Sequence, residues 1–201
     1  MQTTLDKIIC SILIQNESMK TEYEKMLAGK LYDASNTQLM YMRIHARAWM
    51  KEYNQTAYDK EIRAALLKKL FAKTGNNIDV QTPVHVDYGC HIEVGDNFYA
   101  NFNCVFLDCN YITCGNNVFL GPNVQFYTAH HPVIAAERIK GPELASPIII
   151  GDNVWIGGGS IICAGITIGD NTTIGAGSVV VKNIPANVVA VGNPCRVIKQ
   201  L

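Results

Sequence analysis

Two adjacent histidines, His130 and His131, open the stretch "TAHHPVIAAERIKGPELASP" (128–147). Imidazole is the side chain whose ordinary pKa suits proton abstraction near neutral pH, so general-base chemistry is what this pair could do. His131 is followed by Pro132, which restricts the backbone of the residue before it. That fixes His131 better than His130, and which of the two acts stays open on these residues alone. A histidine on a loop is usually only polar surface; this pair stands out because it opens a break in an otherwise strict repeat. The thiols are the other candidate chemistry: Cys10, Cys90, Cys104, Cys109, Cys114, Cys163 and Cys195. None forms a CxxC pair, the odd count argues against a closed disulfide framework, and structural zinc normally takes close pairs. The expectation is free thiols filling small core positions in a reducing cytosol.

The repeat that must position the histidines has a six-residue beat. Ile150, Ile156, Ile162, Ile168, Ile174 and Val180 follow one another without a slip, and Gly follows several of them. Upstream the beat runs Tyr88, Val94, Ala100, Phe106, slips by two, and resumes at Cys114, Leu120 and Phe126. A six-residue period fits neither an α-helix nor a hairpin meander. It predicts a parallel β-helix in which three units close a triangular coil of about 18 residues. The aliphatic residue points inward, and Gly or Asn turns the corner, as in "GDN" at 95–97, 151–153 and 169–171. Such a scaffold carries no function by itself, so chemistry is sought where the repeat is violated. A loop expelled from the coil costs little closure entropy and can reach a neighbouring surface.

The chain before the repeat reads as helix. "SNTQLMYMRIHARAWMKEY" offers Ser35 as N-cap and a stripe of Leu39, Met42, Ala46, Trp49 and Tyr53. "YDKEIRAALLKKLFAKTG" offers Ile62, Ala65, Leu66 and Leu70 and ends at Gly75, and a shorter helix in "TEYEKMLAG" stops at Gly29. These stripes are core faces. The predicted organisation is an N-terminal extension of unassigned role (1–18), a helical segment (19–75), and a β-helix (76–201) with an extruded loop (128–147) and a C-terminal tail. Lys plus Arg equals Asp plus Glu at 17 each, which gives no net field for nucleic acid or acidic membrane. No apolar run approaches the roughly 20 residues of a membrane span. "KIICSILI" (7–14) is short and lacks a small-residue cleavage site, so a cytoplasmic protein is expected.

"NFYANFN" (97–103), "TAHHP" (128–132), "IGDNVWIGGGSIICAGITIGDNTTIGAGSVV" (150–180) and "VGNPCRVIK" (191–199) together resemble the maltose/galactoside O-acetyltransferase family. "EKMLAGKLYDAS" (24–35) extends the resemblance over residues 19–201. The resemblance implies a left-handed β-helix that trimerises, with active sites between subunits that move acetyl from acetyl-CoA to a sugar hydroxyl. It makes His131 the catalytic base. Sugar contacts carry over onto Asp87, Asn101 and Cys109, with Asp108 beside the last; Asp108 is equally a turn residue closing a coil corner. Galactoside enzymes have a small hydroxyl residue where this chain has Asp87 and a carboxylate, as part of an acidic pair, where it has Cys109; Asp87 and the loop residue Glu143 look like the maltose-type branch. Acetyl-CoA contacts carry over onto Gly158, Ala176, Val181, Lys182 and Arg196, with Lys199 replacing a more usual Arg. Lys182 and Arg196 are equally ordinary solvated charges. Trp155 is an apolar wall near the acceptor or thioester, or a surface aromatic packed on another subunit.

The chemistry is coherent with that assignment. A thioester is already activated, a sugar hydroxyl is a poor nucleophile, and what is missing is one base. No covalent acyl-enzyme and no metal are required. A backbone N–H from "WIGGGS", at Gly158 by the resemblance, serves the oxyanion. Two other classes remain at this stage: a zinc enzyme of the γ-carbonic-anhydrase type, for which His85, His91, His130 and His131 are candidates, and a non-catalytic scaffold. Within the enzyme class, a galactoside, an oligosaccharide or an antibiotic competes as acceptor.

Overall fold

The computed structural model describes residues 20–201; the extension at 1–18, with "KIICSILI" and Cys10, lies outside them. Helix α1 (Glu22–Leu27) starts from a capping box in which Thr21 and Glu24 satisfy each other's backbone N–H. Helix α2 (Thr37–Gln55) is capped by Asn36, whose side chain accepts from the Gln38 N–H, not by Ser35. Ser35 is instead turned onto Asp33, donating to Oδ1 through both its N–H and its hydroxyl. The predicted α2 stripe holds: Leu39, Ala46, Trp49 and Tyr53 are buried and Met42 half-buried.

Helix α3 (Lys60–Leu70) buries Arg63, Leu66, Leu67 and Leu70, while Ile62 and Ala65 face solvent. The face is rotated from the expected one because an arginine can bury its stem. The Arg63 guanidinium donates to Thr56 O and Thr82 Oγ1, and its head lies over Tyr58 and Tyr53. The helix ends at Leu70, short of Gly75, because the chain enters the solenoid at once: Lys73–Thr74 pairs in parallel with Glu93–Val94.

From Lys73 onward three parallel sheets form the faces of a prism. Face one stacks Lys73–Thr74, Ile92–Val94, Ile112–Cys114, Ile148–Ile150 and Thr167–Ile168. Face two stacks Asp79–Val80, Tyr99–Ala100, Phe119–Leu120, Trp155–Ile156, Thr173–Ile174 and Val188–Val191. The C-terminal strand Arg196–Gln200 closes that sheet antiparallel to Val188–Val191. Face three stacks Val84–Val86, Cys104–Leu107, Gln125–Tyr127, Ile161–Ile162 and Val179–Val180. Each aliphatic residue of the beat is buried on its counterpart one coil away, as in Leu120, Ile156 and Ile174.

Corners are built as the sequence suggests. Asn97, Asn117, Asn153 and Asn171 all have positive φ. Their amides form a continuous ladder from Asn77 through Asn97, Asn117, Asn153 and Asn171 to Asn187, each bond 2.8–2.9 Å. Gly115 permits this close stacking: a Cβ there would lie 2.2 Å from Asp152 Oδ1.

One register expectation is corrected. The inward residue that pairs with Phe106 is Val86, and Tyr88 packs outside the coil with Met26, Tyr32 and Cys109. The two-residue slip is therefore not a single accident. Val86 to Val94 and Phe106 to Cys114 both overshoot the six-residue beat by two, and Phe126 to Ile150 holds the long excursion. All three lie on the edge where face three turns into face one. The break in the repeat is the largest of three stacked bulges on that edge.

Helix α2 caps the first coil. Asn54 mimics a neighbouring strand, its amide donating to Val84 O at 2.9 Å and accepting from Val84 N at 3.0 Å. Tyr53 donates to Val80 O at 2.8 Å.

Candidate functional site

On the bulged edge, Asp108 is wholly buried, and its Oδ1 accepts the N–H groups of Asp87 (3.0 Å) and Tyr88 (2.9 Å). Its Oδ2 accepts the His91 N–H at 3.3 Å. Of its two expected roles this geometry fits the turn residue. Burial pushes its carboxyl up to about 7, against the backbone N–H groups that favour the charged form. His91 is equally buried, with Nδ1 2.6 Å from Asp108 O and Nε2 3.1 Å from Tyr23 Oη. Burial lowers its pKa, and its ring is committed to the fold. Asn110 donates to Met26 O, Leu27 O and Ala145 O, tying this edge to α1 and to the returning limb of the excursion. The half-buried Asp87 accepts at Oδ2 from the Cys109 thiol at 3.5 Å, and burial with the neighbouring Asp87 charge raises the thiol pKa.

The excursion leaves as Ala129–His130 and returns as Leu144–Ala145, antiparallel, with His130 opposite Leu144. His131 and Glu143 are the next residues on the two limbs, where the pairing ends and Glu143 bridges to Tyr32 instead. Beyond them lies a short helix, α4 (Ala135–Arg138). His131 is exposed; His130 Nε2 lies 3.4 Å from Ser146 Oγ. Glu143 is fixed from outside the solenoid, exchanging both backbone hydrogen bonds with Tyr32 (3.0 and 3.1 Å) and accepting the Tyr32 hydroxyl at 2.8 Å. The bulged edge thus carries Asp87, Cys109, His131 and Glu143, and Cys109 shares a buried cluster with Tyr32, Tyr88 and Ala145.

A second group lies on the edge where face two turns into face three. Asn101, Gly121, Gly157 and Gly175 form one column, and Gly158 and Ala176 are neighbours in the next. A Cβ at Gly159 or Gly177 would meet nothing within 4 Å, so open space runs down this edge. Trp155 projects from face two in register with Phe119 and Tyr99, and with Asn101 they line a groove of about 480 Å³. Tyr99 and Phe119 went unassigned in the sequence, although each stands one place before an inward residue, as Trp155 does. Val181 and Lys182 follow the last face-three strand, back on the bulged edge, and Arg196 and Lys199 lie exposed on the C-terminal strand. A single chain does not bring the His131 group and the Gly158 group onto one edge.

Solenoid, helical cap and excursion define a hexapeptide-repeat acyltransferase. The family model for the maltose acetyltransferase hexapeptide capping motif matches residues 25–75, and that for the bacterial transferase hexapeptide (six repeats) matches 147–182. A maltose O-acetyltransferase from Clostridium difficile 630 is 54% identical with a TM-score of 0.89, over 90% of this chain and 98% of that one. A galactoside acetyltransferase in complex with coenzyme A is 44% identical with a TM-score of 0.86, over 90% and 91%. A hexapeptide-repeat acetyltransferase from Vibrio cholerae O1 biovar eltor, complexed with acetyl-coenzyme A, is 37% identical with a TM-score of 0.84, over 90% and 99%. The chain belongs to the maltose/galactoside O-acetyltransferase family and is an acetyltransferase. Among the described residues, no helix is long and apolar enough to cross a membrane, and no group of three or more His, Cys, Asp or Glu is placed to hold a metal ion.

Proposed function

We propose that the protein transfers acetyl from acetyl-CoA to a hydroxyl of a maltose- or glucose-type sugar by direct attack, with His131 as general base. The observation that carries this is the two-limbed ribbon whose pairing ends at His130 and Leu144, so that His131 and Glu143 follow on its limbs, on the same edge as Asp87 and Cys109. Carboxylate and thiol groups there, with the Asn101 amide from the glycine edge of a neighbouring copy, suit the hydroxyls of a saccharide. His131 takes the hydroxyl proton as the oxygen attacks the thioester carbonyl, then returns it to the leaving thiolate. Gly157 and Gly159 spend their N–H groups on Ile174 O and Pro122 O, and the Gly158 N–H between them serves the oxyanion. The open glycine edge, with Ala176 on it, fits an extended pantetheine arm; Val181 and Lys182 come from the bulged edge of a neighbouring copy, and Lys182, Arg196 and Lys199 meet the nucleotide phosphates.

Because the base and the oxyanion donor sit on different edges, a complete site requires a neighbouring copy, and the assembly is a homotrimer. Apolar surface left open by one chain supports this: Val133 (93% exposed), Ile134 and Ile139 at the tip of the excursion, and Phe119 and Trp155 on face two. The test of the acceptor is thiol release from acetyl-CoA across glucose, maltose, galactosides, aminosugars and chitin-type oligosaccharides. Glucose and maltose are expected to give the highest kcat/KM. Equal or better turnover of a galactoside or an oligosaccharide would replace the acceptor, and no release with any saccharide would remove the sugar reading.

A further inference from the structure

We propose that Tyr32 is a positioning residue for the acceptor site, holding the Glu143 carboxylate in place and linking it to Asp87 through Cys109; this rests on the sugar O-acetyltransferase reading above. Tyr32 is 2% exposed and lies outside the solenoid, in the turn between α1 and α2. It grips Glu143 at three points: two backbone hydrogen bonds of 3.0 and 3.1 Å, and the hydroxyl on Oε2 at 2.8 Å. The contact spans 111 residues, so neither local helix nor coil geometry requires it. The Tyr32 ring packs in the same cluster as Cys109, whose thiol donates to Asp87 Oδ2. Glu143 and Asp87 are thus each hydrogen-bonded to a member of one buried cluster, Glu143 to Tyr32 and Asp87 to Cys109.

A carboxylate that must accept sugar hydroxyls loses affinity if it is free to rotate, and a buried hydroxyl donor restricts it without occupying both oxygens. The same grip holds the return limb of the excursion, whose Leu144 pairs with His130, the residue before His131. Tyr32 therefore couples the helical cap to the acceptor side of the site and leaves the glycine edge untouched.

The test is a double-mutant cycle in the full-length protein with Tyr32→Phe, Glu143→Ala and the pair, read as kcat/KM for the sugar and KM for acetyl-CoA. A hydrogen bond to a charged group predicts a loss of about ten- to a hundredfold in sugar kcat/KM for Tyr32→Phe, with KM for acetyl-CoA unchanged. The double variant should be no worse than Glu143→Ala alone. Losses that multiply, a Tyr32→Phe variant equal to wild type, or a variant that loses its fold or raises both KM values alike would overturn the assignment. A wild-type protein that acetylates no saccharide removes the proposed function and this role together; an active wild type with an indifferent Tyr32→Phe removes this role alone.

Discussion

At the scale of residues, the bulged edge depends on buried groups whose polar atoms are spent on the backbone. Asp108 is the clearest: its carboxyl closes the bulged corner through three backbone N–H groups, and burial pushes its pKa up to about 7. The folded chain binds this proton more tightly than the unfolded one, whose carboxyl titrates near about 4. Its contribution to stability is greatest below that value, falls as pH rises from about 4 to about 7, and is flat above. Asp108→Asn should remove this slope and lower stability by about 1–3 kcal/mol, since an amide cannot accept on both sides of the corner. Denaturant midpoints of both proteins across that range would check it; parallel curves would contradict it. Asp108 appears in the sequence as half of "DC", and nothing local distinguishes a turn residue from a sugar ligand. Only its total burial does.

At the scale of elements, the hexapeptide beat made the solenoid legible because each coil is nearly a local structure. Ile150 to Val180 stack where the period put them. The bulged edge was harder to read, because a two-residue overshoot preserves the alternation and lets Tyr88 pass for an inward residue when Val86 is the one that stacks. The α3 stripe was misplaced for a related reason, since Arg63 buries its stem where periodicity favours Ile62. Tyr32 could not be paired with Glu143 from sequence, because the contact crosses 111 residues. The cap offers its own test. Asn54→Ala leaves the Val84 N–H and C=O without partners at the first coil, which costs about 1–3 kcal/mol per unpaired group. A lowered denaturation midpoint with unchanged KM values is expected; an unaltered midpoint would show that the solenoid does not need this cap.

At the scale of the whole molecule, three flat faces and one bulged edge separate the two halves of the chemistry. In the proposed function the excursion carries the base and the glycine edge the oxyanion donor and the channel for the thioester, and a three-fold assembly would set one chain's excursion against the next chain's glycine edge. The proposed base His131 and its neighbour His130 are told apart by turnover, because both are exposed in one chain. The most direct measurement compares His131→Ala with His130→Ala for acetyl transfer to the best sugar, on protein whose solution mass is determined alongside coenzyme A binding. The account predicts a three-chain mass for both, retained coenzyme A binding, a loss of about 10²–10⁴-fold in kcat for His131→Ala, and a mild effect for His130→Ala. An inactive His130→Ala beside an active His131→Ala, or full activity in a single-chain species, would contradict it.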